Sequence, residues 1–343
     1  MPPSSTEMPG TYLIITSIAS PDNMALRTYA LECPQRDMPL IVIGDAKSPA
    51  GFNLGGCNFY SLERQKSLPF RMAEALPNGK YSRKNLGYLL AMNQGADVIV
   101  ETDDDNFPTA DFWKERAADR KCRLVAGEGW VNVYRYYALE NIWPRGFALD
   151  RLRDLTLPPK EQVEATHCPI QQGLCDENPD VDAIFRLICP SEAPLSFDEA
   201  GDIALGSGSW CPFNSQNTTW FKEAFPLLYL PTWCNFRMTD IWRSFIAQRV
   251  AWTNGWRVLF HNATVYQRRN KHDLLKDFED EMPGYLHNGK ICDELQALEL
   301  KAGASYIFEN MERCYRIFIK HRLMDERELS LLHAWTSDCA GIL

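Results

Sequence analysis

Three consecutive carboxylates, Asp103, Asp104 and Asp105, end the run DVIVETDDDN at residues 97–106. Val, Ile and Thr favour extended backbone, and Asn106-Phe107-Pro108 stops it. Adjacent acids repel one another, so clustering them is costly unless a cation or a hydrogen-bonded ligand compensates. Hard oxygens of this kind suit Mg²⁺ or Mn²⁺, which keep one or two protein carboxylates and take further ligands from a diphosphate. At the carboxyl end of an inner strand they would stand where open α/β sheets receive ligands. The plain alternative is a solvated acidic turn. The apolar strand before the acids, and the lack of Lys or Arg beside them in sequence, favour the metal.

Two basic stretches are candidates for the other side of such a site. In YSRKNLG, residues 81–87, Ser82 is placed to cap a helix, and Arg83 and Lys84 fall in its first turn. Cations there oppose the helix dipole, which points to an anion nearby, because a helix start plus cations attracts phosphate. The second stretch, RRNKHD at 268–273, carries Arg268, Arg269 and His272. Asp45 follows an apolar strand and reads equally as a turn or as a contact to a base or ribose. Glycines around Gly206 and Ser207 would let backbone approach a ligand, although an ordinary hairpin explains them too. The amides and hydroxyls of 213–218, including Asn214 and Gln216, could hydrogen-bond a sugar. Asp240 opens a helix, where an acid is more often a cap than a base.

The elements that must position these residues follow from periodicity. Residues 11–18 and 39–44 read as buried parallel strands, 24–31 as a helix and 58–62 as a short strand. A helix from 81 leads at once into the acidic strand, and βαβαβ with short links is the pattern of a nucleotide-binding half-sheet. Beyond it come a strand at 123–126, an aromatic segment at 130–143 and a loop-like stretch at 144–169 with 152–159 as linker. Residues 181–187 fit a strand or short helix, and 203–210 a flexible glycine loop. A helix starts near 239, followed by strands at 257–260 and 263–267 and a helix-rich stretch from 289.

Composition narrows the function. A formal net charge of −9 over 343 residues argues against bulk nucleic-acid binding. Eleven scattered cysteines without CxxC pairs read as free thiols in a reducing compartment. No leader and no apolar run of membrane-spanning length is read from the sequence, so no membrane span and a cytoplasmic location are expected. The sequons at Asn217 and Asn262 are then incidental.

Four ordered blocks carry a resemblance: YSRKNLGYLLAMNQGADVIVETDDDN at 81–106, PDVDAIFRL at 179–187, PFNSQNTTWF at 212–221 and YQRRNKHDLLKDFEDE at 266–281. Together the chain resembles the GT-A glycosyltransferases, most nearly the STELLO-type family, and more distantly the reversibly glycosylated polypeptides, or UDP-arabinopyranose mutases. The resemblance implies an α/β, Rossmann-like GT-A fold with a mixed central sheet flanked by helices. It would span residues 1–288, with 289–343 as a helical extension packed on it. It also implies a metal-dependent glycosyltransferase using Mn²⁺ or Mg²⁺ and a nucleotide-sugar donor, UDP-linked, with an unknown acceptor. Asp105 would be the direct metal ligand and Asp103 would lie toward the ribose or sugar, with Asp104 between them. Asp45, Arg83, Lys84, Asn85, Arg268 and Arg269 would surround the donor. Gly206 and Ser207 would form the acceptor loop, with Asn214 and Gln216 beside the sugar. Asp240 would be the base of an inverting reaction, and His272, with His261 as rival, a further metal ligand. The rival functions are a UDP-sugar pyranose/furanose mutase and a non-catalytic nucleotide-sugar-binding partner. The aromatic helical tail makes a homodimer an expectation.

Overall fold

A computed structural model describes residues 10–125, 127, 129–138, 141–153, 163–189, 194–269 and 273–343. The apolar runs of the amino-terminal half become β1 (Thr11–Thr16), β2 (Leu40–Ile43) and β4 (Val98–Asp103), with the short β3 (Asn58–Tyr60) at the sheet edge. All four run parallel, in the order β3-β2-β1-β4. Buried on both faces, such strands need no polar alternation, which is why they read as continuous apolar stretches. Helices α1 (Met24–Glu32), α2 (Leu62–Lys66), α3 (Arg71–Ala75) and α4 (Lys84–Asn93) connect them. Asn23 caps α1 by accepting from the Leu26 amide. Gly87 of α4 lies so close to the sheet that a Cβ there would come within 2.5 Å of Ile14.

The rest of the sheet is mixed. It adds β5 (Asn106–Pro108), β6 (Asp119–Val125), β8 (Val163–His167), β9 (Ile170–Asp176), β10 (Ile203–Leu205), β12 (Asn217–Phe221) and β13 (Val258–Gln267). The full order is β3-β2-β1-β4-β12-β9-β13-β10-β6-β8, with β5 on β13. The minor pair β7 (Gly129–Trp130) and β11 (Ser209–Trp210) stands apart. Because β12 is antiparallel to both β4 and β9, and β13 is parallel to β9, strands β1, β2, β4, β9 and β13 all end at the same edge. Strand β10 is antiparallel to β13 and ends at the opposite edge.

Several expectations change here. Of the two readings of 181–187, strand or short helix, the helix is found: α5 (Ala183–Ile188), which Asp182 caps through the Phe185 amide. The stretch 144–169 contains strand β8, and 257–267 is one strand with an irregular register between His261 and Val265. The glycines near 206 form a tight turn between β10 and β11. Helix α6 (Thr239–Thr253) starts where expected, and α7 (Leu274–Gln296), α8 (Ile307–Lys320) and α9 (Glu328–Ile342) complete the chain. A division at residues 288/289 falls inside α7. Phe318 and Trp335 of the last helices belong to one core cluster with Leu86 of α4 and Trp242 of α6, so the carboxy-terminal helices share the main core.

All eleven cysteines are free. Asn217 is buried, its amide donating to the Leu174 carbonyl and to Thr264, so that sequon is inaccessible in the folded chain. Among the described residues no helix is long and apolar enough to cross a membrane.

Candidate functional site

The strand order reverses between β1 and β4, and that crevice opens into a cavity of about 600 Å³. Ser17 after β1, Asp45 after β2 and Asp103, Asp104 and Asp105 after β4 form one wall. Asp103 accepts from the Tyr81 hydroxyl at 2.8 Å and from Lys84 at 3.3 Å through one oxygen, Oδ1. Asp104 accepts from Ser17 at 2.5 Å through Oδ2. Asp105 accepts from the Gln267 amide at 2.9 Å and from Asn106 at 3.2 Å.

Burial raises the proton affinity of all three acids. Lys84 and Tyr81 offset part of the effect at Asp103. At Asp105, burial and then the charge of Asp103 push the carboxyl up to about 7. The second oxygens of Asp103 and Asp104 accept no hydrogen bond among the described residues. This donor set fits a divalent cation: hard oxygens, two of them uncommitted, in a place where negative charge is disfavoured. It is not a complete cage, since no three His, Cys, Asp or Glu groups are arranged to hold an ion by themselves among the described residues. Mg²⁺ and Mn²⁺ sites commonly draw their remaining ligands from water and phosphate.

The basic residues of α4 do something other than expected. Lys84 is fully buried and donates to the Thr102 carbonyl at 2.9 Å, to Tyr81, to Asp103 and to the Ser215 carbonyl. It is the internal counter-ion of the acidic strand end. Arg83 donates to Gln65 at 2.7 Å and to the Leu76 carbonyl, while burial lowers its proton affinity. Its Nη2 is buried without a partner among the described residues, although the residue lines the cavity. Ser82 pairs with Thr232 and caps nothing; the helix proper begins after a 3₁₀ turn. Asn85 exchanges two hydrogen bonds with the backbone of Leu230, so it fastens a loop and does not line the cavity. Asp45 accepts from the amides of Ala46, Gly79 and Lys80, stapling the loop before α4 to the end of β2.

The facing wall comes from the segments after β9 and β13 and the start of α6. Asp240 lines the cavity and accepts from Arg145 at 3.0–3.1 Å, from the Ser215 amide at 3.2 Å and from the Ile241 amide. Arg145 also forks onto Asp180 with two bonds of 2.8 Å. Burial pushes Asp180 up, but Arg145 overrides it and holds this carboxyl below its ordinary range. Asn214 donates to Asp180 from behind, while Gln216 reaches the cavity itself. Arg237 and Arg269 line it too, paired with Glu281 and Asp277 respectively.

Other expected residues lie elsewhere. Gly206 and Ser207 stand at the opposite sheet edge, where Ser207 accepts from Arg257. Arg268 is exposed and stacks over Phe107 and Tyr266, 5.0 and 5.5 Å from their ring centres. His261 is held neutral by burial, down to about 4, and does not line the cavity. His272 lies outside the described residues. Sequence reasoning missed Ser17, Tyr81, Arg145, Asp180, Arg237 and Gln267. Gly146 offers one signal for Arg145: its φ is +87°, and a Cβ there would meet Ile241 at 2.3 Å.

A parallel half-sheet, a crevice at its reversal of strand order and acids at the strand ends make this a Rossmann-like α/β fold. The sequence comparisons narrow the class. Residues 237–342 match the family model of the STELLO glycosyltransferases. Two Arabidopsis thaliana proteins described as probable glycosyltransferases are similar along most of the chain. STELLO2 is 27% identical over 87% of it, and STELLO1 is 26% identical over 90%. The chain is therefore similar to the STELLO glycosyltransferases. It spans 41% and 42% of the length of those two proteins. The family-model match includes Arg237 and Asp240 and excludes the three acids after β4. A solved structure described as a mycobacterial protein superposes with a TM-score of 0.41 at 10% identity, over 82% of this chain and 75% of that one. That likeness is too weak to argue from.

Proposed function

We propose that this chain transfers a glycosyl group from a nucleoside diphosphate sugar, UDP-linked, to a hydroxyl acceptor, with Mn²⁺ or Mg²⁺ as cofactor. The observation that carries the reading is the placement of Asp103, Asp104 and Asp105 at the β1/β4 crevice, facing a cavity of ligand size. The nucleoside would lie against Ser17, Asp45 and Lys47, where the buried Nη2 of Arg83, without a partner among the described residues, is an available donor. Asp103, through its uncommitted oxygen, and Asp105, on exchanging its bond to Gln267 or Asn106, would hold the metal. When bound, the ion supplies positive charge to the diphosphate as it departs. Lys47, Lys80, Arg237 and Arg269 would add charge-assisted hydrogen bonds to the phosphates.

Asp240 is the carboxylate expected to take the acceptor proton. Its oxygens are committed to Arg145, Ser215 and Ile241, so the role requires exchanging one of those bonds for the acceptor hydroxyl. That commitment favours, as a second reading, chemistry with no base at Asp240: a retaining transfer, or exchange of ring form in the UDP-sugar. A panel of UDP-sugars, followed for hydrolysis, transfer and ring-form exchange with Mn²⁺ and with chelator, tests both. Turnover that needs the metal is expected. If no donor is bound or turned over in either condition, the proposal fails.

A further inference from the structure

The segment 233–237 is a partition between two cavities. Phe236 and Arg237 line the cavity described above; Trp233, Cys234 and Asn235 line a second, of about 770 Å³; Lys80 lines both. The far wall of the second cavity is the turn between α8 and α9. That turn is fixed in place: the Asp325 amide donates to the Trp233 carbonyl at 2.9 Å. The fully buried Glu328 at the start of α9 accepts from the Thr232 and Trp233 amides and from the Tyr229 hydroxyl. The partition is therefore anchored at its amino-terminal end, Thr232 and Trp233, to the carboxy-terminal helices.

The chemistry of this second cavity is distinct. Trp233 stands in it with two cations, the Arg327 guanidinium 3.8 Å from the ring centre and Lys80 Nζ at 5.4 Å. Arg327 is paired with Asp325, at 2.9 and 3.0 Å. Neither Lys80 nor Arg322 has an acidic partner among the described residues, although both line the cavity. Glu326 opposes them, yet the lining carries one more base than acid in a chain whose net charge is −9. Unpaired cations beside an aromatic ring match a sugar that bears an anionic group: the anion meets Lys80 and Arg322, and the sugar ring packs against the part of the indole that Arg327 does not cover.

We propose that the second cavity is the acceptor subsite and takes an acidic saccharide, one carrying a carboxylate or a phosphate. Its role as acceptor subsite rests on the transferase reading; the binding itself does not. Lys80 faces both cavities and is the point where an acceptor could approach the donor.

The test uses the full chain and isothermal titration with three probes: a galacturonate oligosaccharide, glucose 6-phosphate and neutral cellotetraose. Each is titrated without and with saturating UDP and Mn²⁺, against wild type, Arg322→Glu and Arg322→Lys. At least one acidic probe is expected to bind with UDP present. Arg322→Glu should weaken it about tenfold or more, as expected for losing a charge-assisted hydrogen bond, and Arg322→Lys should restore most of the affinity. The proposal is overturned if neither acidic probe binds, if cellotetraose binds as tightly, if Arg322→Glu binds like wild type, or if UDP displaces the probe. If UDP does not bind while an acidic probe binds in an Arg322-dependent way, the transferase reading falls and the saccharide site stands.

Discussion

Replacing Asp105 with Asn should stabilise the metal-free protein at alkaline pH while removing its response to Mn²⁺. Asp105 is pushed up to about 7, first by burial and then by the neighbouring Asp103 charge. Its folded-state value lies above its unfolded one, so its contribution to stability is fully present below about pH 4 and is lost as pH rises through about 7. Each pH unit of displaced protonation is worth about 1.4 kcal/mol, so a carboxyl titrating near 7 and not near 4 costs the ionised, folded chain at most about 4 kcal/mol at pH 8. The group is partly open to water, and the substituted amide meets Asn106 donor to donor on one side. The expected net gain for Asp105→Asn is therefore about 1–2 kcal/mol at pH 8, shrinking to nothing near pH 4. Urea unfolding with reductant and chelator, at about pH 8 and about pH 5, measures it directly. Adding Mn²⁺ at 100 times its dissociation constant should then stabilise wild type by about 2.7 kcal/mol and the variant by far less. A variant destabilised equally at both pH values, or stabilised by Mn²⁺ as much as wild type, would refute the reasoning.

The other predictions concern charges the site depends on. Arg243 and Glu101 are both fully buried and paired at 2.7 Å, so Arg243→Met should cost about 3–5 kcal/mol in urea unfolding by stranding the carboxylate; a cost under about 1 kcal/mol would contradict the pairing. Lys84→Met removes the cation that holds Asp103 to Thr102 and Ser215, and Mn²⁺-dependent UDP affinity should fall about tenfold or more, since charge-assisted bonds of this kind are the strong ones. Unchanged affinity in a folded variant would show that the tether is dispensable. Asp240→Asn should lower transfer about a hundredfold if Asp240 is the base, with UDP affinity within about threefold. A loss of transfer matched by an equal loss of UDP binding would identify Asp240 as the anchor of Arg145 and nothing more.

The parts of the fold legible in sequence are those governed by local rules. The β-branched runs at 11–18, 39–44 and 97–103 announce parallel strands because both of their faces are covered, and the acids at 103–105 mark a strand end. The misplaced residues depend on contacts distant in sequence. Only the family resemblance puts Gly206 and Ser207 at the site, and which edge they occupy is decided by the antiparallel pairing of β10 with β13, about fifty residues later. Arg145 lay in a stretch read as loop, and its partners Asp180 and Asp240 stand 35 and 95 positions away. The dipole argument at α4 found a real conflict and named the wrong resolution: the anion that Lys84 meets is Asp103 of the protein itself.

That resolution bears on the metal. With Lys84 spent inside, the cavity lining carries six acids (Asp45, Asp103, Asp104, Asp105, Asp180 and Asp240) against six bases (Lys47, Lys80, Arg83, Arg145, Arg237 and Arg269). Four of those acids have neighbours that already use them: Arg145 holds Asp180 and Asp240, Lys84 holds Asp103, and backbone amides hold Asp45. Arg237 and Arg269 already pair with Glu281 and Asp277, so much of the charge they would offer a phosphate is neutralised. A nucleoside diphosphate would thus bring two or more negative charges into a lining with no surplus of positive charge, inside a chain of net charge −9. A divalent ion at Asp103 and Asp105 would remove that deficit together with the repulsion among the acids. Nucleotide affinity should accordingly collapse in chelator, whereas a site relying on free Lys and Arg would keep most of it.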